Sequence, residues 1–245
     1  MIRLIIILIY AVIVLVVTMP FQFVLFILDR FSPGIREKVS INSVHIIFKN
    51  LIFLAGTRVN YIGEENIPKD TAALYVGNHR SYFDVIIPGS RLPYPSTFIA
   101  KKEFNKIPML NVWMHAIKCL MLDRSNIKEG LKTVLSAIDY IKEGRSIFVF
   151  PEGTRNKTQD LLLPFKDGAL KISTKSHCPI IPVAITNSAE VFEAHFPKIK
   201  KADVIVHYGS PIYPDDLNKE ELKHIGKAVT DSIEDMLKKD SCLIQ

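Results

Sequence analysis

"SIFVFPEGTRN", residues 146–156, joins a short apolar run to a polar turn. A run of this length, rich in branched and aromatic side chains and closed by Pro, Gly and charged residues, predicts a strand buried on both faces. The strand is expected to end at Pro151, with Glu152, Gly153, Thr154 and Arg155 following as a tight exposed turn. Four further runs have the same character: "ALYVGN" (73–78), "STFIA" (96–100), "IIPVAI" (180–185) and "ADVIVHY" (202–208). Helical periods lie between and after them. Asn126 and Glu129 form a capping-box pattern, Leu131, Val134, Leu135, Ile138 and Ile141 mark one face, and Gly144 closes the helix. A last helix is predicted from Asn218 to about Lys239, opened by Asn218 and Glu221 and burying Leu222, Ile225, Val229, Ile233 and Met236. Strands alternating with helices predict an α/β fold with a largely parallel central sheet flanked by helices.

The chain has 245 residues, enough for one sizeable core with an appendage. The appendage is N-terminal. Residues 4–28 carry no charge, and as a helix they would reach roughly 37 Å at about 1.5 Å per residue. That exceeds a bilayer core of about 30 Å. No small-residue cleavage site precedes Asp29, so the segment is expected to remain attached as a membrane anchor. Pro20 is expected to kink or divide it, which sets a bent, half-inserted segment against a straight span. Ile41 to Ala55 are apolar except for a stripe of Asn42, His45 and Lys49 at helical spacing. Such a helix suits either the plane of a membrane interface or the core of the soluble part. Residues 1–56 are therefore read as a membrane-anchoring helical segment and residues 57–245 as the α/β domain. Arg30, Arg36, Lys38, Lys49 and Arg58 face only Glu37 between residues 30 and 60, which predicts the cytoplasmic side of the cell membrane.

Lys and Arg number 31 against 25 acidic residues, a net charge of +6 that fits an anionic partner. Nucleic acid is not the expected one, since no basic run interleaves with aromatics and the apolar anchor has no part in such binding. The three cysteines, Cys119, Cys178 and Cys242, form neither a disulfide framework nor a zinc pattern. His115, His177, His195, His207 and His224 show no ligand spacing, so no metal is expected. The His-Glu-x-x-His, Gly-x-Ser-x-Gly and Walker-type motifs that mark metalloproteases, serine hydrolases and nucleotide-binding enzymes are missing as well.

Chemistry is expected at two strand ends. In "YVGNHRSYFD" (75–84), His79 and Asp84 lie five apart and would diverge by about 140° on one continuous helix. They can meet if His79 sits on the loop after the strand and Asp84 in the first turn of the next helix, a break that Gly77 and Ser81 favour. Asp84 would then fix the imidazole so that its other nitrogen takes a proton from a hydroxyl. At the second strand end, Gly153 allows positive φ and close approach of a ligand, and Arg155 offers a fork of donors suited to phosphate. Glu152 could hold Arg155 or bind a substrate hydroxyl. Open α/β sheets collect ligands at such strand ends, and the two motifs occur in order about seventy residues apart.

Together these blocks resemble the glycerolipid acyltransferases, most closely the bacterial 1-acylglycerol-3-phosphate acyltransferases. "NHRSYFD" is similar to their His-x4-Asp block, "AKKEFNKIP" (100–108) and "LDR" (122–124) to the intermediate blocks, "FPEGTR" to the phosphate block and "IIPVAI" to the final strand. Asn111 and Asn156 depart from the residues common there. The resemblance implies acyl transfer from a thioester of coenzyme A or acyl carrier protein to lysophosphatidic acid at a membrane, giving phosphatidic acid without a cofactor. His79 would be the general base and Asp84 its orienting partner. Glu152, Gly153, Thr154 and Arg155 would bind phosphate, with Lys102, Arg124 and Lys166 adding positive charge. Glycerol 3-phosphate or another lysophospholipid is the alternative acceptor, and an inactive membrane lipid-binding protein the alternative of another class.

Overall fold

The computed structural model describes residues 1–244, Asp167 by its backbone alone. Seven strands form one sheet: β1 (Arg58–Ile62), β2 (Leu74–Gly77), β3 (Ser96–Lys101), β4 (Leu120–Leu122), β5 (Ser146–Val149), β6 (Ile180–Thr186) and β7 (Asp203–Tyr208). Their order is β1-β7-β6-β2-β5-β3-β4. Every neighbouring pair is parallel except β6 with β7. All five predicted strands are present. Sequence reading missed β1 and β4, the two edges: β1 alternates in exposure and β4 is only three residues long.

The central strands are apolar on both sides because both faces of the sheet are covered. Leu74, Val76, Ile147, Val149, Ile180 and Ala184 face one layer, built from α5 (Ile127–Lys142), α6 (Asp167–Ser176) and α8 (Ile225–Ser241). Tyr75, Phe148, Ile181, Val183 and Ile185 face the other, which holds Phe83 and Ile87 of α3 (Phe83–Gly89) and Ala55 of α2 (Ile35–Ala55). A small helix α4 (Leu110–Ala116) and the short α7 (Lys219–Lys223) complete the set.

Four helical expectations need correction. The first helix, α1 (Ile2–Leu28), runs on through Pro20 as one 27-residue element. On α5, Asn126 accepts from the N–H groups of Lys128 and Glu129, but the Glu129 side chain pairs with Lys132 instead of closing the box. Leu131 and Leu135, expected on its buried face, are 59% and 53% exposed, because Thr133, Ala137, Ile138 and Ile141 are the residues turned onto the sheet. The C-terminal helix is two: α7 has the full Asn218–Glu221 capping box, and the chain leaves helical geometry at His224 before α8.

The two N-terminal helices form an antiparallel hairpin laid along the domain. Gln22 Nε2 donates to Ser40 Oγ at 2.9 Å, and Asn50 Nδ2 to Tyr10 Oη at 2.9 Å. Trp113 Nε1 of α4 donates to Thr18 Oγ1 at 3.1 Å, and Leu4 and Ile7 pack against the α3-side core. At the other end Arg145, just before β5, makes a two-pronged buried pair with Glu37 of α2, to which Lys118 adds a contact at 3.1 Å. Both helices are long and apolar enough to cross a membrane, yet α2 has its Glu37, Ser40, Ile41 and Ala55 buried on the protein. So α2 packs one side on the domain, as the core reading of its sequence expected.

Candidate active site

The register of β2 decides what meets at the sheet's C-terminal edge. Val76 pairs with Val149 of β5, so three residues further on His79 and Glu152 stand side by side. His79 N–H donates to Glu152 Oε1 at 2.7 Å. On the other flank Asn78 extends the β2–β6 ladder with its side chain: Nδ2 donates to Ile185 O at 3.0 Å and Oδ1 accepts from Ile185 N–H at 2.7 Å. This fully buried amide locks the loop that carries the histidine. No spacing rule marks it in the sequence.

The chain then turns into α3, with Asp84 in its first turn. His79 Nδ1 lies 3.0 Å from Asp84 Oδ2. The same oxygen accepts the N–H groups of Arg80 and Ser81, each at 2.6 Å, so three donors converge on one atom of a completely buried carboxylate. The imidazole stacks on Phe150, with ring centroids 4.4 Å apart. With Nδ1 committed to Asp84 and the side chain 17% exposed, Nε2 is the nitrogen left for a ligand.

The turn after β5 differs from its predicted form. Pro151, Glu152 and Gly153 are buried, and only Thr154 is exposed, with Arg155 half-buried. Gly153 does take positive φ, at 72°. A Cβ there would stand 2.9 Å from Lys166 Nζ, so the lysine lies across the face of the glycine. Glu152 holds neither Arg155 nor an open position: its Oε2 accepts from Leu163 N–H at 2.9 Å while Oε1 accepts from His79. It ties two loops together through their backbones. Burial pushes its carboxyl above the usual glutamate range, against the backbone donors of Leu163 and His79. Asn156, one of the two unusual positions, is also structural. Its N–H donates to His79 O at 2.6 Å, and its side chain accepts from Thr158 N–H and donates to Asp160 O.

Arg155 is held by a residue that sequence reading passed over. Its Nη1 donates to Glu193 Oε1 at 3.0 Å, its Nη2 to Tyr82 Oη at 3.1 Å, and its guanidinium lies 3.8 Å from the Tyr82 ring centroid. Glu193, on a short turn after β6, also accepts from Ser81 Oγ and Tyr82 N–H. A lone glutamate about forty residues downstream gave no signal beyond following a strand that ends at this edge. Lys102 and Arg124 close β3 and β4 on the same edge, beyond β5. Lys102 Nζ pairs with Asp123 Oδ2 at 3.0 Å, and Arg124 is exposed. Ser125, and after it Lys102, hold the Asp123 carboxyl down at about 2. His79, Asp84, Glu152, Gly153, Arg155 and Lys166 thus form one connected cluster, whereas Lys102 and Arg124 stand at its flank.

A sequence model of the acyltransferase family matches residues 58–186, over half of the chain and all of these strand ends but the Glu193 turn. The chain belongs to the acyltransferase family. This family member is 32% identical over 187 residues to a 1-acyl-sn-glycerol-3-phosphate acyltransferase of Saccharomyces cerevisiae, spanning 76% of the chain and 61% of that protein. With the enzyme of that name from Borreliella burgdorferi it shares 29% identity over 196 residues, 80% of this chain and 78% of the relative. The Cocos nucifera relative is 32% identical and is spanned over 58% of its length, so the chain covers about three fifths of the yeast and plant proteins. The crystal structure of the 1-acyl-sn-glycerophosphate acyltransferase of Thermotoga maritima has the same fold, with a TM-score of 0.82 at 24% identity over 98% of this chain and 95% of that one.

Proposed function

We propose that this chain transfers a fatty acyl group from a thioester to the free hydroxyl of 1-acyl-glycerol-3-phosphate, giving phosphatidic acid. The observation that carries the reading is the 3.0 Å contact of His79 with Asp84 beside the Gly153 turn. A binding protein has no need of an imidazole oriented in this way. The acceptor oxygen attacks the thioester carbonyl carbon while His79 Nε2 takes its proton. The C–S bond then breaks, and the departing thiolate recovers that proton from the imidazolium. Asp84 holds the ring and balances its transient charge. General-base help of this kind is worth about 10² to 10⁴ in rate. No covalent acyl-enzyme and no cofactor is required.

Phosphate is assigned to the backbone at Gly153 and Thr154, to Arg155 and to Lys166, whose ammonium already lies against the glycine. Glu152 acts by positioning, both of its oxygens being spent on backbone N–H groups. Lys102 and Arg124 supply positive charge at the rim, toward the donor's phosphates or the lipid surface. The donor is a thioester of coenzyme A or of acyl carrier protein.

The hairpin supports a seat in the plane of the membrane. Helix α1 touches α2 or the domain from Leu4 to Leu25, while its outer side chains, Ile5, Val12, Val16 and Phe23 among them, are exposed. A helix fastened along its length to the rest of the chain favours a half-inserted seat over an upright span. We assign the domain to the cytoplasmic face of the cell membrane, a reading that the basic residues following α1 support. A thioester-release assay of the purified protein against glycerol 3-phosphate, lysophosphatidic acid and other lysophospholipids tests the reading. Release only with lysophosphatidic acid is expected; release with none of them would sink it.

A further inference from the structure

At the far end of the same sheet edge, a second charged concavity lies outside the catalytic cluster. It is a groove of about 650 Å³ lined by Arg3, Phe53, Gly56, Thr57, Arg58 and Lys201, among others. It forms because the hairpin is antiparallel: the first turn of α1 comes beside the last turn of α2, where the chain enters β1. From β2 the edge strand β1 is three strands away, roughly 14 Å at about 4.8 Å per strand.

The charges there are unevenly answered. Arg58 is paired with Asp203 through two bonds of 2.6 and 2.9 Å. Arg3 and Lys201 have no carboxylate partner among the described residues. A Cβ on Gly56 would stand 2.9 Å from Lys201 Cγ and 3.6 Å from Arg3 Cζ, so the lysine stem and the guanidinium both lie against the glycine that ends α2. The first turn of α1 adds to the field, because its N-cap, Met1, contributes no side-chain acceptor and the leading N–H groups lack intrahelical partners. In the wall, the Thr57 hydroxyl is buried without a partner.

What surrounds the cations selects the anion. Phe53, in the lining, is 82% exposed, and the apolar outer face of α1 starts at the groove's rim with Ile2 and Ile5. A soluble anion gains nothing from such a border, whereas a lipid buries its chain against it. We propose that this groove binds the headgroup phosphate of an anionic phospholipid, with Arg3 and Lys201 as its ligands, fixing the hairpin in register with the bilayer. The inference concerns membrane seating, so it stands apart from the proposed acyl transfer.

Vesicle co-sedimentation without acyl donor tests it, using the full chain and phosphatidylcholine vesicles with and without phosphatidylglycerol. Arg3→Gln with Lys201→Gln should weaken partition onto the anionic vesicles by roughly 10- to 30-fold, the scale expected of two cations held in contact with anionic headgroups. Partition onto phosphatidylcholine should be unchanged, as should turnover of detergent-dispersed substrate. The double variant Arg30→Gln with Lys49→Gln removes the same charge from elsewhere on the hairpin and should lose much less. Equal losses in the two doubles would mean diffuse attraction and overturn the site. Displacement of the wild-type protein from the anionic vesicles by excess inorganic phosphate at constant ionic strength would show a free-anion site and overturn the lipid assignment. Lys201→Glu should abolish the preference for phosphatidylglycerol, and its survival would equally refute the proposal.

Discussion

Arg155 and Glu193, 38 residues apart in the chain, meet at 3.0 Å, so the guanidinium proposed to grip phosphate is already held by a carboxylate. Glu193 also fixes Ser81 and Tyr82 on the loop between His79 and Asp84. On the proposed assignment, an incoming phosphate would compete with Glu193 for Arg155. Glu193→Gln should lower the KM for the acceptor a few-fold while reducing kcat, because the arginine is freed as the loop loses its charged anchor. Arg155→Ala should raise the KM for the acceptor far more than that for the thioester. Initial rates with each substrate varied in turn separate these effects, and equal changes in both constants would remove Arg155 from the phosphate site.

His79→Ala should lower kcat by about 10² to 10⁴. Its thermal midpoint and vesicle binding should stay near wild type, since the side chain is partly exposed and Asp84 keeps its bonds from Arg80 and Ser81. Purified variant with near wild-type turnover would eliminate the base.

Asn78 makes a reciprocal pair with the backbone of Ile185 inside the core. Asn78→Ala leaves a buried N–H and C=O unpaired, at about 1–3 kcal/mol for each group. Urea unfolding should register that loss, and kcat should fall further than the loss of folded protein explains, because His79 is the next residue.

The pH dependence of Glu152 follows from burial. Its folded-state pKa lies above the unfolded value, so its contribution favours folding at pH below the ordinary glutamate range and is lost as pH rises through the raised value. The stability of wild type minus that of Glu152→Gln should accordingly fall with rising pH across that window. A flat difference would mean that the two backbone donors cancel the burial. The offset between the curves measures a separate matter, the mismatch of a carboxamide –NH2 with a backbone N–H.

Glu37 and Arg145 form a buried pair that fastens the hairpin to the domain, 108 residues apart. Removing one partner strands the other in a poorly solvated site. Glu37→Gln should destabilise the protein by about 3–5 kcal/mol, visible in the denaturation midpoint, and should leave the affinity of the folded protein for acceptor unchanged.

Much of the fold was legible because its signals are local. The five apolar runs became strands, since a sheet covered on both faces needs uninterrupted apolar residues. The capping box at Asn218 formed as read, whereas the equally local one at Asn126 closed only by half, its Glu129 being drawn to Lys132. Failures came where packing overrode the local pattern. Leu131 and Leu135 satisfy helical periodicity as well as Ile138 does, but only the sheet's position says which side of a broad apolar stripe is covered. Pro20 did not divide its helix, which neighbours support along its length.

By itself the sequence determined the alternation of strand and helix, the apolar anchor, and the two motifs with their residue types, because backbone propensity, apolar periodicity and side-chain chemistry are properties of neighbours in the chain. Only the tertiary structure decided that Glu152 bridges two loops through their backbone N–H groups, that Glu193 answers Arg155, and that Arg3 comes to lie beside Lys201. Each of these depends on strand register or helix pairing between distant segments, and a hydrogen bond or ion pair forms only where those contacts bring its two atoms within about 3 Å.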